Sequence, residues 1–354
     1  MPDDFSTLQQ TDRTSVRRLP RWPFAVGSVL MALAILSVVL WNIELPYLAW
    51  SPGPTPEVID LLTVEGAEQY PVGGDLYMLT VSQQGLNVYE LVAAVADPHV
   101  DVLERTAVRP IDVTEEEYQR QSRERMDESK VAAISVALDR LGYDVTVEGD
   151  GVEVVSVLEG TPAEGALVAG DVITAINGQP VYVGPDAVAE ISTNEIGDTI
   201  ILTVSRGQDI VEVPITLVEH TQNKGQPMVG FGPATFNPRY VFPIDVEIDS
   251  SNIGGPSAGM MYTLAIMNVL TPEDITHGLR IAGTGTITTN GDVGPIGGIR
   301  QKVVGATLSG AEYILVPEAN YEEALTADIE SAEIIAVNTI DDALEFLASL
   351  ELAA

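Results

Sequence analysis

Gly254-Gly-Pro-Ser-Ala-Gly-Met-Met-Tyr-Thr-Leu-Ala-Ile-Met-Asn-Val269 is a glycine-rich turn that runs directly into an apolar stretch. We predict that this stretch, from Ser257 to Val269, is a buried helix, because apolar residues occupy most of its positions. Short apolar runs on both sides of it alternate with further helical patterns, which predicts an α/β fold for this part of the chain. The strands are expected at 241–248, 281–288, 313–316 and 334–337, and the other helices at 298–308 and 340–350.

Ser257 lies where the glycine-rich turn meets the predicted helix. An isolated serine at this position is most often an N-cap, whose side chain accepts hydrogen bonds from the first backbone N–H groups. The alternative is a nucleophile. Flanking glycines allow a substrate backbone to approach closely, and free N–H groups at a helix start can hold an oxyanion.

A serine nucleophile needs a general base, and Lys302 is the best candidate. In the predicted helix 298–308, Lys302 shares one apolar face with Ile299 and Val303, whereas Arg300 and Gln301 are expected to point elsewhere. Loss of solvation lowers the pKa of a lysine, and a neutral amine can accept a proton. The alternative is a lysine whose ammonium group reaches water from the edge of that face.

Histidine is a poorer candidate for the base. The chain has three histidines, at positions 99, 220 and 277. His277, the only one between residues 240 and 350, follows a polar stretch that is typical of a surface connection.

The box Gly-Pro-Ser-Ala-Gly and the segment Gly291-Asp-Val-Gly-Pro-Ile-Gly-Gly-Ile-Arg-Gln-Lys302 together resemble the proteolytic domain of the Lon family. The resemblance covers roughly residues 230–350. It implies that Ser257 is the nucleophile and Lys302 the general base of a serine peptidase. It also implies that Thr284 lies close to this dyad, and that Gly255 and Ala258 support the site.

The chain departs from the family at one position. Lon proteins usually have an acidic residue three positions before the serine, whereas this chain has Gly254. Asp249 is a candidate to supply what that acidic residue contributes. The resemblance also implies a ring-shaped homo-oligomer, since Lon proteolytic domains commonly form hexamers.

A second resemblance lies between residues 143 and 218. Short alternating strands and turns carry Gly160-Thr-Pro-Ala163, then Gly170-Asp171 and Ile176-Asn-Gly178, which resemble the core of a bacterial PDZ domain. PDZ domains bind extended peptides by adding a strand to a sheet edge. A spacer without a ligand is the alternative. The peptide groove is expected near the start of the domain.

The N-terminal region predicts a membrane anchor. An uncharged apolar run from Phe24 to Trp41 follows four arginines. As a helix it would span roughly 27 Å, close to the thickness of a hydrocarbon core. The arginines place the N-terminus in the cytoplasm and the rest of the chain outside it. A cleaved signal peptide is the alternative, although its apolar run is normally shorter.

Composition excludes several other classes. The formal net charge of −35 makes nucleic acid an unlikely partner, because such a surface repels phosphate. The chain has no cysteine, and none of its three lysines follows a glycine, so neither thiolate chemistry nor a phosphate-binding loop ending in Gly-Lys is available. We expect no cofactor and no metal.

These observations predict an ATP-independent serine endopeptidase at the extracytoplasmic membrane face, acting on unfolded or peptide substrates. The rival hypotheses are an inactive PDZ scaffold or sensor of the membrane, and a non-peptidase acyl hydrolase with the same dyad. The expected organisation is a cytoplasmic tail at 1–21, a transmembrane anchor at 22–45, an α/β region of unknown role at 52–142, a β-rich PDZ domain at 143–220 and an α/β (α+β) Lon-type proteolytic domain at 228–354.

Overall fold

The computed structural model describes residues 22–221, 223–250, 253–327 and 329–351, so the predicted tail 1–21 lies outside the described residues. The helices are α1 (Trp22–Asn42), α2 (Val88–Ala96), α3 (Arg105–Val108), α4 (Glu115–Arg140), α5 (Gly184–Ser192), α6 (Gly259–Leu270), α7 (Ile299–Leu308), α8 (Tyr321–Leu325) and α9 (Ile340–Glu351).

The strands are mostly short, and several consist of two or three residues. They are β1 (Tyr47–Pro52), β2 (Leu62–Glu65), β3 (Asp75–Met78), β4 (Val81–Gly85), β5 (Asp101–Glu104), β6 (Thr146–Glu148), β7 (Val152–Val157), β8 (Val172–Ile176), β9 (Gln179–Pro180), β10 (Thr199–Arg206), β11 (Asp209–Thr216), β12 (Val218–Glu219), β13 (Pro227–Met228), β14 (Phe231–Thr235), β15 (Arg239–Val241), β16 (Asp245–Ile248), β17 (Arg280–Gly283), β18 (Thr286–Ile287), β19 (Val293–Gly294), β20 (Tyr313–Pro317) and β21 (Glu333–Val337).

The chain divides into two units. The first consists of residues 1–51 and 82–112, and the second of residues 52–81 and 113–354. In the first unit, β4, β1 and β5 form a three-stranded sheet. The unit also contains α1, which is long and apolar enough over Phe24–Asn42 to cross a membrane and is exposed along its length.

A parallel sheet and two packed helices form the centre of the second unit. The sheet has the order β21-β20-β17-β3, and all its neighbours run parallel. Helix α6 is buried along its whole length and packs against α4 in the largest hydrophobic core of the chain. Such a helix has no polar face because neighbours surround it.

This core combines residues that are far apart in the sequence. Strand β2 pairs with β16, and β3 pairs with β17. Helix α4 begins at a Thr114 cap, since the Thr114 side chain accepts from the Glu117 amide. Its second half, Ala132–Leu138, is buried in the same core. The elements before the β-rich segment therefore fold together with those after it.

The β-rich segment has a core of its own and a sheet of the order β11-β10-β8-β7-β14. The hairpin β10–β11 turns at Gly207, which has a positive φ. Strand β14 pairs with β7 and forms one edge of the sheet. This edge strand comes from the end of the segment.

Candidate active site

Ser257 lies in a turn immediately before α6. The apolar pattern predicted a helix from Ser257, but the helix begins at Gly259 and Ala258 is its N-cap residue. The Ser257 carbonyl accepts two hydrogen bonds, from the Gly285 amide at 2.8 Å and from Thr284 Oγ1 at 3.0 Å. These bonds fix the backbone of the serine against β17 and β18. The side chain of Ser257 remains available for Lys302.

Lys302 reaches this serine from α7. Its side chain is buried, with 4% of the residue exposed. Nζ lies 2.8 Å from Ser257 Oγ and 2.8 Å from Thr284 Oγ1. Burial lowers the pKa of the lysine to about 7, because desolvation penalises the ammonium form. The structure thus brings together three of the predicted site residues around one amine.

Thr284 orients that amine. Its hydroxyl proton goes to the Ser257 carbonyl, so its oxygen can only accept from Lys302. A neutral amine that donates one proton to Thr284 can direct its lone pair at Ser257 Oγ. The geometry therefore suits transfer of the serine proton to the lysine.

The other predicted site residues lie in the same turn. Gly255 has a φ of 86°, which favours glycine, and Ala258 is buried. Gln301, expected to point away from the apolar face of Lys302, is buried as well, with 1% exposed. Its amide atoms have no hydrogen-bond partner among the described residues.

Two serines on α4, which no sequence pattern singled out, hold the turn before Ser257. The carbonyl of Ser122 accepts from the Gly255 amide at 3.0 Å. Ser129 Oγ donates to the Pro256 carbonyl at 3.0 Å, and Ser129 is buried. The only sequence signal is a small polar residue at the edge of the apolar half of a helix, which does not reveal its partner.

These contacts also explain why this chain has Gly254 where Lon proteins usually have an acidic residue. A Cβ atom there would lie 2.5 Å from Ser122 Oγ, so α4 occupies the space that a side chain would need. Desolvation is the cause that lowers the Lys302 pKa. Burial, together with the charge of Asp249, raises the pKa of Tyr262 to about 12.

Gly254→Ala should therefore lower the free energy of unfolding by about 1 kcal/mol, because the new methyl group is overpacked against Ser122. Ser122→Ala alone keeps the backbone carbonyl that holds Gly255, and should be nearly neutral. The double variant should recover most of the loss, which urea unfolding of all four proteins would measure. Additive losses in the double variant would show that Ser122 Oγ is not the obstacle.

Comparison with known protein families agrees with this geometry. Residues 240–349 match the Lon protease (S16) C-terminal proteolytic domain, and residues 140–217 match the PDZ domain. The two matches confirm the predicted fold class of an α/β Lon-type domain with a β-rich PDZ domain and an N-terminal apolar helix.

Individual relatives match only part of this chain. "Lon protease 2" of Bacillus subtilis is 28% identical over 244 residues, which is 64% of this chain and 42% of that protein. "Lon protease" of Campylobacter concisus is 42% identical over 95 residues, or 26% of this chain and 12% of that protein. The chain thus spans less than half the length of these relatives.

Among solved structures, the PDZ domain of an SdrC-like protein from Listeria innocua is 35% identical, with a TM-score of 0.22. It covers 24% of this chain and 93% of that one. The first family match includes the Ser257–Lys302 pair, and the second lies over the β-rich segment with its separate core. This chain therefore carries a Lon protease (S16) C-terminal proteolytic domain and a PDZ domain behind an N-terminal apolar helix.

Proposed function

We propose that the chain is a membrane-anchored serine endopeptidase that works without ATP, with Ser257 as nucleophile and Lys302 as general base. The observation that carries the proposal is the 2.8 Å contact between Lys302 Nζ and Ser257 Oγ, made by an amine whose burial brings its pKa to about 7. A base with a pKa near the working pH is neutral often enough to accept a proton.

In the first chemical step, neutral Lys302 takes the proton of Ser257 while Oγ attacks the carbonyl carbon of the scissile peptide. The amides of Ser257 and Ala258 make no hydrogen bond within the described part of the chain, and we assign them to the oxyanion. Gly259 and Met260 are excluded from that role, because their amides donate to Pro256 and Gly285. Donors fixed in advance lower the barrier by stabilising the charge that develops.

Collapse of the tetrahedral intermediate breaks the peptide C–N bond, and the Lys302 ammonium returns its proton to the leaving amine. The acyl group stays on Ser257 Oγ. Neutral Lys302 then takes a proton from water, whose oxygen attacks the ester, and passes that proton back to Ser257. The balance is one water consumed per bond cut, with no metal or redox step.

We infer that the proteolytic domain is larger than the predicted range 228–354. Helix α4 supplies both serines that hold the nucleophile turn, and β2 and β3 complete its sheets. On this interpretation, residues 52–81 and 113–142 belong to the proteolytic domain, and the PDZ domain is an insertion within it.

A groove of about 1030 Å³ beside the nucleophile turn would admit an extended peptide. It runs along α4 and is lined by Glu128, Ser129, Tyr240, Phe242, Pro256 and Ile287, among others. The groove combines apolar side chains with acidic ones. We propose that it takes the side chains of a flexible or unfolded substrate next to the scissile bond.

The PDZ domain is proposed to dock such substrates. Beside the edge strand β14, a pocket of about 250 Å³ is lined by Val188 and Ile191 of α5 and by Val229 and Phe231. An unpaired strand edge next to an apolar pocket suits a peptide that adds as a further strand. The spacer hypothesis assigns this pocket no occupant.

Val188→Glu should weaken cleavage of protein substrates several-fold, through KM, while leaving hydrolysis of short peptides unchanged. Val188 is 53% exposed, so the charge blocks the pocket without burying a carboxylate. Ile210→Glu is the matched control, because Ile210 is an exposed apolar residue of the same domain on β11, outside that pocket. Equal KM values for both variants and the parent would favour the spacer.

The proposed location is the extracytoplasmic face, with α1 in the membrane. The sequence has no Gly-Lys-Ser/Thr loop, which supports ATP independence. The arginines before α1 support the orientation with the N-terminus in the cytoplasm. A homo-oligomeric ring, commonly a hexamer in Lon proteins, is proposed on the family resemblance. The rival scaffold would not require Ser257 and Lys302 to remain in contact.

Activity should rise with pH through one main ionisation near pH 7. Protonated Lys302 is inactive, so below its pKa of about 7 the rate falls as the neutral fraction falls. At pH 5 the value of kcat/KM should be about 100-fold below its plateau. The measurement is kcat/KM for a short peptide from pH 5 to 9. A maximum in acid would contradict the lysine base.

The test of the function is hydrolysis of unfolded casein by the full-length chain in detergent, without nucleotide and with a chelator present. Cleavage that Ser257→Ala eliminates supports the proposal. Cleavage that requires ATP, or that persists in the variant, would reject it. Absence of cleavage of casein and of every peptide offered would favour the scaffold.

A further inference from the structure

Helix α2 in the first unit has an exposed face made of apolar residues. Tyr89, Val92 and Val95 are 40%, 69% and 72% exposed, and Ala93 and Ala96 lie on the same side and are also exposed. The one charged residue of the helix, Glu90, is used in the capping box with Asn87. The exposed face therefore carries no charge.

An exposed helix of a soluble protein normally directs polar residues to water and apolar residues to the core. Here Ala94 of α2 is buried, whereas Val92 and Val95 remain 69% and 72% exposed. Contiguous exposed apolar surface of this kind commonly marks an interaction site.

Contacts with α1 fix where this face lies along the axis of α1. Tyr89 Oη donates to Ser37 Oγ at 2.9 Å, and the ring of Tyr89 lies 6.1 Å from that of Trp41. Ser37 lies within the apolar span Phe24–Asn42, about 7 Å from its end along the helix axis. Helix α2 thus begins beside the last turns of the apolar span rather than beyond them.

We propose that α2 is a membrane-docking element whose face of Tyr89, Val92, Ala93, Val95 and Ala96 is immersed in the interfacial lipid around α1. The inference rests on the proposed role of α1 as an anchor. If α1 spans the bilayer, a helix held beside Ser37 must meet acyl chains, because the span is about as long as the hydrocarbon core. Its tyrosine and the neighbouring Trp41 are the aromatic residues that favour this interface.

Lipid is favoured over a second copy of the chain as the occupant. The hydrogen bond between Tyr89 and Ser37 pairs two hydroxyls at the height of the apolar span, where a lone hydroxyl would be costly. Immersion of α2 would tie the first unit to the outer surface of the membrane.

The test uses single introduced cysteines. Because the chain has no cysteine of its own, each variant is labelled at one position only. The variants Leu30→Cys in the middle of α1, Val92→Cys on α2 and Gln208→Cys in the exposed β10–β11 turn are labelled with the environment-sensitive dye NBD. Each full-length protein is placed in vesicles of phosphatidylcholine and phosphatidylglycerol. Nitroxide-bearing lipids quench dyes that lie in the bilayer.

We expect the dye at position 92 to be blue-shifted and quenched several-fold more than the dye at 208, as the dye at 30 is. Quenching at 30 but not at 92 would overturn the docking of α2 and leave the anchor intact. No quenching at 30 would reject the anchor, and the docking of α2 with it. Efficient disulfide formation between two copies of Val92→Cys, without quenching at 92, would assign the face to a second copy.

Discussion

Ser257→Ala should reduce kcat/KM for peptide and casein hydrolysis by about 10³-fold or more, since removal of a nucleophile removes the covalent route altogether. The fold should survive. The serine side chain is partly exposed, and the turn is held by backbone bonds and by α4. The measurement is steady-state hydrolysis, accompanied by thermal unfolding of each protein.

Ser309→Ala provides the matched control for this loss. Ser309 ends α7, and its hydroxyl bonds to the Ala306 carbonyl rather than to the site. That variant should keep nearly full activity. Turnover by Ser257→Ala equal to that of the parent would mean that the nucleophile is another residue, and the Ser257–Lys302 contact would then have no chemical role.

Lys302→Arg should be about as inactive as Lys302→Ala, again by about 10³-fold or more. Arginine keeps the positive charge but does not lose its proton in proteins, so it cannot serve as the base. It also has to place a larger charged group where the lysine is 4% exposed. Full activity in the arginine variant would show that the charge matters at this position and that the base lies elsewhere.

Lys302→Met separates loss of the base from loss of the fold. In the folded chain the lysine pKa is about 7, whereas the ordinary value is about 10.4. Between these pH values the unfolded chain binds a proton that the folded chain does not, so the stability of the parent rises as the pH rises from 7 to about 10. The methionine variant should lack this rise, be more stable at pH 7 and be inactive.

Local sequence determined the elements that carry the site. The glycine-rich box predicted a turn and a buried helix, and the spacing of Ile299, Lys302 and Val303 placed the lysine on an apolar face, where the structure has it buried. The cap at Thr114 and the hairpin turn at Gly207 are local in the same sense, because capping and tight turns depend on neighbouring residues. The resemblance to the Lon and PDZ families added the partnership of Ser257 with Lys302.

Only the tertiary structure decided what surrounds that pair. Ser129 and Pro256 are 127 residues apart in the sequence and meet through a hydrogen bond, and Ser122 reaches Gly255 in the same way. The exclusion of a side chain at Gly254 and the burial of Gln301 follow from such packing. Periodicity reports which face of an element is apolar, but it does not report which distant element covers that face. The sequence alone assigned no role to the residues before the PDZ domain, whereas in the structure α4 of that region packs against α6 beside Ser257.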